Sequence, residues 1–239
     1  MPVIEAFDVR KSYGSGATLV DAIRGVDLSV ADGELVAVMG PSGCGKSTLL
    51  HLCGAMDRAS SGRLQVLGLT LGDLDDDALT RLRRDRLGFV FQFFNLLPTL
   101  SVEENVALPL LLGGVARSAA LARAGALLQE VGLTQRRAAR PQQLSGGEMQ
   151  RAAIARAVVH DPRLVIADEP TGNLDSENGR RVLDLVRTLN RRLGMAILIA
   201  THDASVAAIA DRTILMRDGR IVDEPRPSPS LLPRPRAAV

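Results

Sequence analysis

Apolar and polar positions change rhythm along the chain, and each change predicts an element. VIEAFDVRKSY (3–13), DAIRGVDLSV (21–30) and GELVAVM (33–39) read as strands, separated by Gly and Asp turns. A helix is expected from about Lys46, and RLQVLG (63–68) looks like a further strand. DLDDDALTRLRRDR (73–86) has acids first and arginines last, the order a helix macrodipole favours. LGFVFQ (87–92) is a short apolar run that reads as a strand, and residues 101–160 are mainly helical by pattern. Then come strand 163–168, helix 176–193, strand 195–200, helix 203–210, strand 213–217, an Asp218-Gly219 turn and strand 220–224. Strands alternating with helices predict an α/β fold with a mostly parallel sheet. The helical block at about 93–160 interrupts the alternation and reads as an inserted subdomain. No internal repeat is visible.

Composition narrows the picture. A chain of 239 residues, 46% apolar and 23% charged, suits a soluble globular protein with one large domain over 1–224. Residues 225–239 hold five of the twelve prolines and three arginines without an acid, and are expected to form a disordered tail. The formal net charge of +2 gives no reason to expect nucleic acid as a partner. Cys44 and Cys53 lack metal-type spacing and read as reduced cytosolic thiols. Met1–Arg10 has no apolar core of a signal peptide, and no apolar run reaches the roughly 18 residues of a spanning helix. Any membrane role is therefore expected to come through a partner. Of 29 basic residues only Lys11 and Lys46 are lysine, so position 46 invites a reason for a compact ammonium.

That reason is GPSGCGKST, which fits G-x-x-x-x-G-K-S/T between a strand and a helix. Gly40, Pro41, Ser42, Gly43, Cys44, Gly45, Lys46, Ser47 and Thr48 would form a phosphate-binding loop. The glycines let successive backbone N–H groups face a β-phosphate. Lys46 would reach the β/γ oxygens and Ser47 would offer its hydroxyl to Mg²⁺. Cys44 reads as a small filler pointing away. RLVIADEP (163–170) ends a buried strand in two carboxylates, where ligands bind in such sheets. There Asp168 would hold Mg²⁺, directly or through water, and Glu169 would polarise an attacking water.

A second anion site lies a hundred residues on. In LSGGEMQRAAIARAVV (144–159), small residues precede an Ala/Arg-rich helix whose N-terminus has free N–H groups and a positive dipole end. Ser145 also reads as an ordinary N-cap, with Glu148 as its capping-box partner, and both readings use the same donors.

Phosphate loop, LSGGE and ADEP in that order resemble the ATPase subunits of ABC transporters. The resemblance covers nearly all of 1–224. It implies a P-loop NTPase core with a mixed, mostly parallel sheet, an N-terminal antiparallel β-subdomain and an inserted α-helical subdomain. It identifies Leu144 to Glu148 as the signature pentapeptide, with Glu148 where Gln is commoner. By that likeness Ser145, Gly146, Gly147 and Glu148 would meet the ATP held by a second copy, so that a homodimer sandwiches two ATP molecules. Gln92 resembles the glutamine that senses Mg²⁺ and water, Asp175 in GNLD an interface aspartate, and His202 in LIATHD a switch histidine at the γ-phosphate. Tyr13, the only tyrosine, matches the aromatic that stacks on adenine, and this reading is preferred to the core role that an aromatic near an N-terminal strand more often has. His51 and His160 match no motif.

GFVFQFFNLLPTLSVEENVALPLLL and EPTGNLDS look like macrolide-export, lipoprotein-release and cell-division type ATPases. The expected function is thus an ATP-hydrolysing motor at the cytoplasmic face of the membrane, driving a separate permease by dimer closure. Residues 93–112 would form either the core of the helical block or a groove for a cytoplasmic helix of that permease. Chromosome or repair ATPases are disfavoured, because only 51 residues separate Gln92 from Leu144, without heptads or Cys pairs. A ribosome-associated factor typically has two such cassettes, and one is present. Regulation of a membrane partner is not separable from transport by these residues.

Overall fold

A computed structural model describes residues 1–223; Glu224 and the expected tail at 225–239 lie outside the described residues. In chain order the elements are β1 (Pro2–Tyr13), β2 (Val20–Ala31), β3 (Leu35–Met39), α1 (Lys46–Cys53), β4 (Ser61–Val66), β5 (Leu69–Thr70), α2 (Asp76–Arg86) and β6 (Leu87–Val90). There follow α3 (Val102–Leu112), α4 (Arg117–Glu130), α5 (Gly146–Val158), β7 (Leu164–Asp168), α6 (Ser176–Leu193), β8 (Ala196–Thr201), α7 (Ala204–Ile209), β9 (Arg212–Arg217) and β10 (Arg220–Asp223).

The strands make two sheets, one antiparallel in the order β2-β1-β4-β5 and one of six strands in the order β10-β9-β3-β8-β7-β6. In the second, β9, β3, β8, β7 and β6 run parallel and only β10 turns back. A parallel sheet covered on both faces needs apolar residues on both, which is why LVAVM, LVIAD and AILIAT are nearly unbroken apolar runs. Successive residues feed different cores. Val36, Val38, Leu164, Ile166, Leu198 and Ala200 join Leu49, Leu50 and Leu52 of α1 and the inner face of the antiparallel sheet. Leu35, Ala37, Val165, Ala167, Ile197 and Ile199 join α3, α4, α5 and α6 on the other face. The helical block thus shares one buried cluster with the sheet.

Side chains fix the helix starts. Asp75 accepts from the Ala78 N–H, Ser101 and Glu104 form a capping box, and Asp175 caps α6. Two expected boundaries shift for local reasons. The helix expected over 73–86 starts at Asp76, because Asp75 takes the extended cap geometry. The strand expected through Gln92 ends at Val90, which frees Phe91 and Gln92 from the ladder.

Candidate functional site

The parallel strands aim their C-terminal ends at one edge of the sheet, and the candidate residues collect there. After β3 the chain turns through Gly40–Gly45 into α1. Gly43 (φ 77°) and Gly45 (φ 104°) occupy left-handed backbone that a side chain would strain. A Cβ on Gly40 would lie 2.3 Å from the Met216 carbonyl. Cys44 is buried within the core, as a filler should be. Lys46 is only 7% exposed, and its Nζ donates to the carbonyls of Gly40 (2.8 Å) and Pro41 (3.0 Å). Ser42, Gly43, Gly45, Lys46, Ser47, Thr48 and Glu169 line one cleft of about 570 Å³. Its far wall comes from the start of β2 and from Asp218 and Gly219. That wall escaped the sequence reading, since nothing in linear spacing ties residues 20–24 to 218–219.

Asp168 ends β7, and its Oδ1 is buried with no hydrogen-bond partner. Glu169 follows at φ 44°, a left-handed conformation unusual for a glutamate, and its N–H donates to the Ala200 carbonyl at 2.9 Å. Because β7 pairs with β8 at Asp168↔Ala200, His202 emerges alongside. Its Nδ1 lies 3.1 Å from Glu169 Oε1. A second cleft of about 370 Å³, with Thr171, Gly172, Leu174 and His202 in its wall, also includes Glu169. Glu169 therefore belongs to both clefts.

Gln92 reaches the same place from β6. A Cβ on Gly172 would stand 3.1 Å from Gln92 Nε2 and 3.2 Å from Glu169 Oε2, so both side chains crowd onto that glycine. Asn173 Nδ2 donates to the Gln92 carbonyl at 2.8 Å. Neither role was legible from spacing.

Ser145, Gly146, Gly147 and Glu148 sit elsewhere. Ser145 Oγ accepts from the Glu148 N–H while the Glu148 carboxylate accepts from the Ser145 N–H. That N–H, followed by Arg136 at 2.8 Å, holds the Glu148 carboxyl below its usual range. Glutamine could cap in the same way but could not form the ion pair with Arg136. A Cβ on Gly147 would come within 2.7 Å of Asn178 Oδ1, and Asn178 Nδ2 donates to Asp175 Oδ2 at 2.7 Å. Backbone N–H donation from Asn178 lowers the Asp175 pKa. The signature turn and the α6 cap are thus packed together, and neither Ser145 nor Asp175 lines either cleft.

Tyr13 stands at the end of β1, its ring partly exposed and its hydroxyl donating to Asp57 Oδ2 at 2.8 Å. Burial, then that hydrogen bond, raises the Tyr13 pKa. Burial alone would raise Asp57, but hydrogen bonds from Lys11 and Tyr13 reverse the shift and lower it. On the opposite side, α3 divides its residues. Val102, Val106, Ala107 and Leu110 are buried in the core, whereas Leu108, Pro109 and Leu112 join Leu87, Phe89 and Phe91 in a groove of about 400 Å³.

The family model described as ABC transporter matches residues 23–172 of this chain. The chain belongs to the ABC transporter ATPase family. It is an ATP-binding motor subunit that hydrolyses ATP. It is 46% identical to the lipoprotein-releasing system ATP-binding protein LolD 1 of Rhodospirillum rubrum, over 90% of this chain and 95% of that one. It is also 46% identical to the macrolide export ATP-binding/permease protein MacB of Shigella flexneri, over 94% of this chain but 34% of that longer protein. Among solved structures it resembles the dimeric post-hydrolysis state of the ATP-binding cassette MJ0796 bound to ADP and Pi. The TM-score is 0.86 at 40% identity, with 93% of this chain and 97% of that chain covered.

The donor set of this ABC ATPase fits a magnesium ion. The orphaned Asp168 Oδ1 is a buried oxygen in need of a partner, and Ser47 offers a hydroxyl beside Lys46. Among the described residues no group of three or more His, Cys, Asp or Glu could hold a metal.

Proposed function

We propose that this chain binds MgATP at Gly40–Thr48 and hydrolyses it only when a second copy supplies Ser145, Gly146, Gly147 and Glu148 across a head-to-tail dimer. One observation carries the reading. The chain has two anion-type sites, and the phosphate-loop cleft is lined by Lys46, Ser47 and Glu169 but by no signature residue. Each site then forms half of a composite whose other half is on the twin. The solved cassette MJ0796, which this chain resembles, is dimeric with ADP and Pi bound, and this supports a two-chain reading.

In this reading the backbone donors of the loop and Lys46 hold the β/γ oxygens, and Tyr13 stacks on adenine. Ser47, Asp168 and Gln92 would hold the magnesium ion, which supplies charge neutralisation on the transferring phosphoryl group. Glu169 aligns and deprotonates the attacking water, His202 contacts the γ-phosphate, and Gln92, just after β6, senses the water and links it to the helical block. Asp175 lies at the dimer interface. Phosphoryl transfer of this kind is mainly positioning and electrostatic stabilisation.

ATP-driven closure would move a separate integral membrane permease, with this chain peripheral at the cytoplasmic face of the membrane. Among the described residues no helix is long and apolar enough to cross a membrane. The groove of Leu87, Phe89, Phe91, Leu108, Pro109 and Leu112, rimmed by Arg83, Arg84 and Arg156, would receive a cytoplasmic coupling helix of the permease. The LolD and MacB matches favour a lipoprotein-release or export type of system. The units proposed are an ATPase domain over 1–224, a helical subdomain near 93–160 and a tail.

The test is Ser145→Arg, which fills the signature turn with a long cation. ATP binding by the monomer survives, whereas ATP-dependent dimerisation and turnover are lost. Normal dimerisation and turnover in that variant would overturn the two-chain site.

A further inference from the structure

We propose that Lys11 and Asp57 are positioning residues for the nucleobase, holding the Tyr13 ring by one face and by its hydroxyl so that the other face is presented to adenine. The inference rests on the reading of Tyr13 as the stacking ring and goes beyond it. Lys11 and Tyr13 are two residues apart on β1, so their side chains share a face of the strand. Lys11 Nζ stands 4.8 Å from the centroid of the Tyr13 ring. The same ammonium donates to Asp57 Oδ1 at 2.6 Å and to the Arg58 carbonyl at 2.8 Å. Asp57 Oδ2 accepts the Tyr13 hydroxyl at 2.8 Å, which closes a three-membered cluster. Lys11 has only 12% of its side chain exposed, so its ammonium is held in place.

Each contact removes one freedom from the ring. The ammonium covers one π face, and the bond to Asp57 fixes rotation and tilt. A base stacking on a ring already ordered loses less entropy on binding. The cluster also gives Lys11, the second of only two lysines in an arginine-rich chain, a role that a planar guanidinium would fill differently.

The experiment measures Kd for ATP and for inorganic tripolyphosphate, which carries no base, with the full chain and with Tyr13→Ala, Lys11→Met and Asp57→Asn. Tyr13→Ala is expected to weaken ATP about tenfold or more. Lys11→Met and Asp57→Asn are expected to weaken ATP roughly three- to tenfold, within the range of a lost cation–π contact. Tripolyphosphate binding stays within twofold in all three. In the Lys11→Met/Tyr13→Ala double variant ATP binds no more weakly than in Tyr13→Ala alone. Parental ATP affinity in Lys11→Met and Asp57→Asn beside a weakened Tyr13→Ala overturns the positioning role and leaves the stacking reading standing. Parental affinity in Tyr13→Ala overturns the stacking reading itself. Equal loss of ATP and tripolyphosphate in both Lys11→Met and Asp57→Asn shows general support of the fold and also overturns the proposal.

Discussion

His202 Nδ1 and Glu169 Oε1 stand 3.1 Å apart at the ends of adjacent parallel strands. The pairing of β7 with β8 creates that proximity, and the left-handed backbone at Glu169 directs it. A strained glutamate held by its neighbours is the form in which a fold stores a functional constraint. If Glu169 is the general base, Glu169→Gln keeps the shape and loses the proton acceptor. ATP binding should persist, ATP-bound dimer should accumulate, and turnover should fall on the order of a hundredfold or more. Steady-state hydrolysis together with size-exclusion chromatography in ATP checks this; a parental rate refutes the base assignment.

Gly172 is the point where Gln92 and Glu169 meet. Its missing Cβ leaves 3.1 Å to the Gln92 amide and 3.2 Å to the Glu169 carboxylate, both tighter than ordinary contact. Gly172→Ala should therefore push both groups by a few tenths of an ångström and lower kcat roughly tenfold, while Kd for ATP stays within twofold. An unchanged kcat would show that this crowding does not set the geometry of the reaction.

His160 gives a pH dependence with a defined sign. Burial lowers its pKa, its Nε2 faces the Leu87 carbonyl at 3.0 Å, and its Nδ1 is buried without a partner. Asp85 and Asp161 pull the other way and Arg123 adds to the lowering, but burial dominates. The unfolded chain takes up this proton more readily than the folded one. The stabilising contribution is therefore complete above about pH 6.5 and is lost as pH falls below it. Urea denaturation between pH 8 and pH 5.5 should show a smaller loss of stability in His160→Gln than in the parent. Equal losses would exclude His160 as a source of the dependence.

Most of the architecture was legible in the sequence because apolar runs and caps are local signals. LVAVM, LVIAD and AILIAT announce covered parallel strands, and Ser145 with Glu148 announces a helix start. The two-residue β5 was missed, being too short to carry a period. Phe91 and Gln92 looked like strand because they continue an apolar run, while only the ladder with β7 decides where pairing stops. The candidate residues were found through motifs, but their mutual support was not. The tie from Asn173 to Gln92 spans 81 residues, that from Lys11 to Asp57 spans 46, and Gly147 meets Asn178 only once α5 and α6 are packed. Such links depend on tertiary geometry that no window of sequence contains. Residues 93–112 showed the same limit. Their hydrophobicity is one signal in the sequence, and α3 splits it between core and groove.

The most direct test of two cooperating chains is the ATPase rate per molecule as a function of protein concentration, with sedimentation in saturating MgATP on the same samples. Composite sites predict a specific rate that climbs with concentration and levels off as an ATP-dependent dimer fills, and sedimentation of the slow Glu169→Gln variant should show that dimer most fully. A strictly monomeric protein under every nucleotide condition, with a specific rate independent of concentration, would contradict it.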